Sequence, residues 1–399
     1  MIDYWAYTND SSYVYTVQQA LMAQSGTGNN FMMPAYYSST GNDDQAFWAL
    51  ATLSAMEYGF PVPSGNTSST WLDLSRAVFD LQAGRWDTST CNGGLRWQVF
   101  PYNAGYNYKN SVSNGAFFQI AARLARYTGN HTYVDWAEKT WNWMSATGLI
   151  SPSFHVFDGT NDEMNCTQIN HLEWAYNPAL LLYGTSMLYN YTNGSQIWEK
   201  RTTGLLKAIS TTFFSPFANA TDVMFQPTCE LSNNCNNDQL SFKAYLSRWM
   251  AKAAVVAPYI TTSVTHLLTV TAKAAMRSCS GGQENTTCGA RWYVNGYDGN
   301  YGVGQELSGL ETVQSLLLLH DTAVREFPMT CEDVVLSAEG DPTNTLTLPP
   351  KTSTANASPS NSHGAASSVY GKDGAGSSWG LLMPVLASML LGGWVAFAR

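Results

Sequence analysis

The sequence predicts an all-α fold, a toroid of helical hairpins with one elaborated rim. Two observations carry this. Apolar residues recur at helical spacing in about eleven segments, with no convincing alternating run of the kind that marks a half-buried strand. The connections between those segments alternate between short and long, which antiparallel helices convert into one plain end and one elaborated end.

Taken in order, the first segment (1–8) is a stub, joined through Thr8 to Ser11 to a helix over 12–24. A long connection, roughly 25–42, leads to 43–58, and Gly59 to Ser69 turns the chain into 70–84. A second long connection, 85–110, precedes 111–128, from which Gly129 to His131 passes tightly to 132–146. The third, 147–172, precedes 173–192, and Asn193-Gly194 opens 195–213. The fourth, 214–237, leads into 238–257, where Pro258-Tyr259 turns to 260–277; the fifth, 278–303, ends at 304–320. Structureless loops above about 15 residues are uncommon and usually functional, so a ligand cleft is expected at the rim they share. Eleven helices with a broken first one point to an original twelve. The expectation is that the chain has lost its beginning, a leader peptide included, since Met1-Ile2-Asp3-Tyr4-Trp5 has neither a basic start nor an apolar core.

Composition narrows the function. The 399 residues suffice for one large core or two ordinary ones. Only 12% are charged while 13% are aromatic, with 14 Trp and 22 Tyr. Such chains suit neutral polar ligands such as sugars, whose C–H faces stack on rings, although tryptophans also serve as core. A net charge of -9 argues against nucleic acid, which needs a basic face. The six histidines show no metal-binding spacing, so neither a metal nor another cofactor is expected. No Gly-x-Ser-x-Gly elbow is present, and Gly302-Val303-Gly304 follows no strand that would make it a phosphate loop.

Three signals point to export. Asn-x-Ser/Thr sequons occur at Asn9, Asn66, Asn130, Asn165, Asn190, Asn193, Asn219, Asn285 and Asn356. Seven cysteines include two close pairs, Cys229/Cys235 and Cys279/Cys288, spaced like disulfide-closed loops; the odd one is free or pairs outside the chain. The third signal divides the chain into a catalytic domain over 1–335, a disordered Ser/Thr/Pro/Gly-rich stalk over 336–378, and an apolar tail over 379–399. Small residues at Gly364-Ala365-Ala366 or Ala366-Ser367-Ser368, a polar spacer and that tail fit a GPI-attachment signal. A short membrane span is the rival reading. The expected location is the cell surface, anchored at the plasma membrane or the wall.

The most informative residues are Asp43-Asp44, in Gly41-Asn42-Asp43-Asp44-Gln45-Ala46-Phe47-Trp48. As structure, Asn42 or Asp43 caps the helix and the acids suit its dipole. As chemistry, two carboxyl groups flanking a glycosidic bond supply a proton donor and a nucleophile. Mutual repulsion would keep one of them protonated. Position decides for chemistry, because the pair opens a helix at the elaborated rim. Tentative substrate-binding residues around it are Asn42, Trp97, Gln98, Tyr106, Lys109, Asn110, Trp174, Tyr176 and Asn177. Glu173 and Asp238 are further candidates, with capping or solvated roles at least as natural.

At these residues the chain resembles glycoside hydrolase family 76, the α-1,6-mannanases. The run Gly41–Trp48 is similar to the family's catalytic signature. Trp97-Gln98-Val99-Phe100, Asn103-Ala104-Gly105-Tyr106-Asn107-Tyr108-Lys109-Asn110 and Ala175-Tyr176-Asn177-Pro178-Ala179 resemble its fungal GPI-anchored branch. The resemblance extends from Met1 to about residue 335 and implies that the barrel as written lacks about its first helix and a half. It implies an (α/α)6 barrel, Asp43 as nucleophile, Asp44 as acid/base, and α-1,6-linked mannose as substrate, in mannan or a GPI-core glycan. It also implies a role in wall assembly, with β-glucan as the acceptor if the enzyme transfers instead of hydrolysing. Two other readings stay open: a non-catalytic mannan-binding wall protein, and a different toroidal enzyme such as a polysaccharide lyase.

Overall fold

The computed structural model describes residues 1–63 and 70–320. Its helices are α1 (Ile2–Thr8), α2 (Val14–Gln24), α3 (Asn42–Glu57), α4 (Trp71–Gly84), α5 (Ser111–Thr128) and α6 (His131–Thr147), then α7 (Tyr176–Tyr191), α8 (Gln196–Thr212), α9 (Pro227–Glu230), α10 (Phe242–Val256), α11 (Thr261–Ser278) and α12 (Val303–His320). The eleven expected segments are all present, most with boundaries shifted by no more than a few residues. The proposed stalk, the tail and Cys331 lie outside the described residues.

Six helices form an inner ring in the order α1, α3, α5, α7, α10, α12, and α1 touches both α3 and α12 to close it. The helices α2, α4, α6, α8 and α11 pack outside. The inner members explain themselves by burial: α5 has buried residues on every face, as a helix enclosed on all sides must. Gly184 of α7 sits where any side chain would strike the Phe118 ring of α5, so the two inner helices approach closely there. The tight turns use local chemistry. Helix α5 ends at Gly129 in the left-handed region, and Asn130 then caps α6 by accepting the Thr132 N–H. Thr70 and Asp73 form a reciprocal capping box at the start of α4.

Two features were not expected. A three-stranded antiparallel sheet joins β1 (Tyr108–Asn110), β2 (Gly159–Asn161) and β3 (Ile169–Asn170), stitching the second long loop to the third. Strands of two or three residues are too short to show the two-residue period in sequence. Across the same two loops Cys91 is bonded to Cys166, 75 residues away. The two close pairs, Cys229–Cys235 and Cys279–Cys288, are bonded as expected.

Below the rim the axis of the ring is charged. Arg123 of α5 grips Glu57 of α3 through Nε (2.8 Å) and a terminal nitrogen (2.7 Å), and donates to Ser54 Oγ. Lys252 of α10 donates to Asp3 of α1 at 2.8 Å, and Arg248 pairs with both Glu311 of α12 and Asp3. Five inner helices therefore share one buried network, and Asp3 draws the short α1 into it. Burial raises the Asp3 carboxyl, but Lys252 and Arg248 outweigh it and hold the group below its ordinary value.

Candidate active site

The amino ends of α3, α7 and α10 meet at the elaborated rim. Phe47 of α3 packs on Tyr245 of α10 at 5.2 Å between ring centres, and Tyr176 of α7 stacks on Phe242 of α10 at 4.1 Å. Asp43 and Asp44 occupy the first turn of α3, both partly exposed.

The helix cap is not the one expected. Gly41 is the N-cap, and the Asp44 carboxylate accepts the Gly41 N–H at 2.7 Å. Asn42 is already inside the helix. Its backbone N–H donates to the Trp97 carbonyl (2.8 Å), its side chain donates to the Arg96 carbonyl (2.9 Å), and its Oδ1 accepts from Arg85 (2.9 Å). Arg85 also reaches Gln45 Oε1 and Gln82 donates to the Asn42 carbonyl, so the first turn of α3 is braced from outside the cleft. Trp97, delivered by the same loop, donates its indole N–H to Asp43 Oδ2 at 3.0 Å. Asp43 Oδ1 is enclosed, and no hydrogen bond within the ordinary distance and angle reaches it among the described residues.

Gly41 has a second role. A Cβ placed on it would strike Asp43 Oδ1 and lie 3.0 Å from Asp44 Oδ2. Both oxygens thus border the point where that Cβ would stand, which keeps them no farther apart than the ~5–5.5 Å separation of retaining glycosidases. Burial raises both carboxyls. Asp43 stands well above the carboxylate range, through burial first and then the charge of Asp44, opposed by nearby backbone N–H groups and Trp97. Asp44 is raised to about 6, again by burial, with Asp238 adding to the rise and the Gly41 N–H opposing it. Two such neighbours share protons, and the pair resists becoming a dianion.

The remaining expected residues separate into those beside the pair and those beneath it. Trp97 touches Asp43 directly. The Tyr176 hydroxyl is pushed well above its ordinary value by burial, then by Asp158, Asp43 and Asp238, which places it among three carboxylates. Trp174 packs edge-on against Phe242 at 5.7 Å. Asp238 is exposed and close enough to raise Asp44.

The others are placed as scaffold. Lys109 is completely buried and donates to the carbonyls of Asp87, Thr90 and Gly93 while pairing with Asp87. Asn110 caps α5 by accepting the Ser113 N–H. Gln98 is buried and accepts from Asn103. Tyr106 lies 4.4 Å from the Arg96 guanidinium. Asn177 is fully buried, with neither amide atom bonded among the described residues. Glu173 pairs with His155.

Asp158 was not foreseen. It accepts from the Tyr108 hydroxyl (2.6 Å) and Asn170 (3.1 Å), and burial raises it despite these donors. No periodicity marks it, because it lies inside a long loop. Among the described residues no grouping of three or more His, Cys, Asp or Glu side chains is placed to hold a metal ion.

Comparison with known proteins agrees with this geometry. Residues 1–327 match the model of glycosyl hydrolase family 76. The mannan endo-1,6-α-mannosidase DCW1 of Candida albicans is 44% identical over 322 residues, covering 80% of this chain and 70% of that protein. The crystal structure of Dfg5 from Chaetomium thermophilum in complex with glucosamine superposes with a TM-score of 0.78 at 40% identity, covering 83% of this chain and 80% of that one. An inactive variant of the α-1,6-mannanase GH76A of Salegentibacter, in complex with α-1,6-mannotriose, shares the fold at a TM-score of 0.61 and 18% identity, covering 80% and 86%.

Proposed function

Because the chain belongs to glycosyl hydrolase family 76, we propose that it cleaves α-1,6-mannosidic bonds with retention, Asp43 attacking and Asp44 moving the proton. It is a glycoside hydrolase or a related transglycosidase. The observation that carries the mechanism is the pair of carboxyl oxygens gathered beside Gly41, closer together than the wide spacing that inverting enzymes need, with burial raising both. The Salegentibacter variant supports the assignment, since its inactivity goes with two consecutive aspartates replaced by asparagine.

In the first step Asp44 protonates the glycosidic oxygen as that C–O bond breaks, and an Asp43 oxygen bonds the anomeric carbon. In the second, Asp44 takes a proton from water or a sugar hydroxyl, whose oxygen displaces Asp43. Burial raises both carboxyls, and the charge of Asp44 adds to the rise at Asp43, so the pair shares a proton in the resting protein. Catalysis in the stated roles needs it to pass to Asp44 when the sugar displaces water. Because Asp43 too is raised well above the carboxylate range, a second reading exchanges the two roles.

A substrate with an activated aryl leaving group separates them, because departure then needs no acid. Asp44→Asn should keep a glycosylation burst and be rescued by azide, while Asp43→Asn should show neither. The reverse pattern assigns the roles the other way. Full activity in both variants defeats the two-carboxylate mechanism, and a parent chain that cleaves nothing leaves a non-catalytic mannan-binding protein as the reading.

The setting we propose is the fungal cell surface, with a GPI anchor to the membrane and mannan or a GPI-core glycan as substrate. Three disulfides support an oxidising compartment, and the small-residue and apolar composition of 336–399 supports the anchor. Incubation with α-1,6-mannan, with and without a β-glucan acceptor, tests the outcome of the second step. Mannosyl-glucan products identify a transglycosidase, and free reducing ends alone identify a hydrolase.

A further inference from the structure

We propose that Asn165 carries an N-linked glycan whose first sugars lie in a tryptophan-floored cavity on the outer flank of the toroid. The cavity, of about 680 Å³, is lined by Trp86, Trp143, Lys139, Asn142, Asn165 and Thr167 among others. The Cys91–Cys166 disulfide forms part of its wall. None of the residues placed at the carboxylate pair lines it, and α6, which supplies Lys139, Asn142 and Trp143, is an outer helix.

Asn165-Cys166-Thr167 is a sequon held at the cavity's edge. Asn165 is exposed with φ of 50°, and its side chain makes no hydrogen bond among the described residues. The floor has the chemistry of a sugar site. Trp86 and Trp143 meet edge to face at 5.8 Å, giving apolar surface for pyranose C–H groups. Trp143 spends its N–H on the Cys91 carbonyl, whereas the Trp86 Nε1 is buried without an acceptor. Exposed Asn92, Asn142 and Lys139 ring the opening with further donors.

The covalent step joins Asn165 Nδ2 to the anomeric carbon of an oligosaccharide diphospho-lipid. The amide loses one proton and the lipid diphosphate leaves with the bonding electron pair. A secretory-compartment transferase supplies that donor, and the same oxidising compartment forms the neighbouring disulfide.

The full chain, produced in a secreting eukaryotic host, is digested with an endoglycosidase before and after denaturation, and each site is followed by glycopeptide mass spectrometry. Asn165 should be occupied. Its glycan should leave the native protein at least about tenfold more slowly than the denatured one, a factor equal to about 1.4 kcal/mol of docking. The glycan of Asn219, an exposed sequon outside the cavity, should show no such delay. Ala146→Arg fills the cavity from an exposed position and should remove the delay at Asn165 alone. An unmodified Asn165 beside an occupied Asn219, or equal native release at both sites, overturns the proposal. Neither readout depends on catalytic activity.

Discussion

The carboxyls at the head of α3 are held by different donors: an indole N–H on Asp43 and a backbone N–H on Asp44. Gly41→Ala tests their placement. The φ of -90° at this position admits alanine, but its methyl would enter the space of Asp43 Oδ1. Displacing a catalytic group by about 1 Å can cost 10²-fold, so kcat should fall by roughly that factor with little change in unfolding free energy. Unchanged kcat would show that the pair does not need this spacing. Stability should respond to the same electrostatics in the opposite sense. The folded-state value of Asp44 is raised to about 6 from 3.8, so its contribution to stability is complete below about pH 4 and is lost as pH rises through 6. Asp44→Asn should therefore gain up to about 2–3 kcal/mol over the parent at pH 8 and nothing at pH 4, read by urea unfolding at both pH values. Equal stability differences at both would remove the case for a raised carboxyl. Trp97→Phe keeps the ring and removes the donor on Asp43. The acid limb of kcat against pH should then move upward, since more hydroxide is needed to ionise that group.

Among the elements, the helices were legible because apolar spacing and Gly, Asn and Pro turns mark them locally. The pair was legible for a related reason: two acids at a helix start sit at the end where the connections lengthen. The rim loops were not, since their order depends on contacts between distant segments. Lys109 shows why. In sequence it is a polar residue in an aromatic loop, and in the structure it is a buried knot for three carbonyls and Asp87. Asn110 and Asn42 likewise read as sugar ligands and are spent on capping and bracing. Lys109→Met should cost about 3–5 kcal/mol, because Asp87 then loses a buried partner. It should also raise the hydrogen exchange of 85–95 selectively, measured by mass spectrometry. Exchange unchanged there would show that the loop is held by its disulfide and not by the lysine.

For the molecule as a whole, the carboxylate pair and the buried charged network mark opposite ends of α3. Asp43 and Glu57 lie about 20 Å apart along α3 at 1.5 Å per residue. Glu57→Gln strips the buried Arg123 of its counter-charge and should cost about 3–5 kcal/mol. At a temperature where the variant is folded, KM and kcat should stay near parental values; a large change in either would show that the axial network reaches the cleft. The rim has a further property as a field. Most of its described cations are neutralised elsewhere, Arg96 by Asp87 and Asp162, Lys109 by Asp87, Lys243 by Glu230 and Arg291 by Asp298, while Arg85 donates to the amide oxygens of Asn42 and Gln45 outside the cleft. Asp43, Asp44 and Asp238 face the opening with no such partner among the described residues, leaving an electronegative well. A basic iminosugar, protonated on its ring nitrogen, should thus bind more tightly as pH rises from 5 to 7 and the pair ionises, whereas its neutral lactam analogue should not follow that trend.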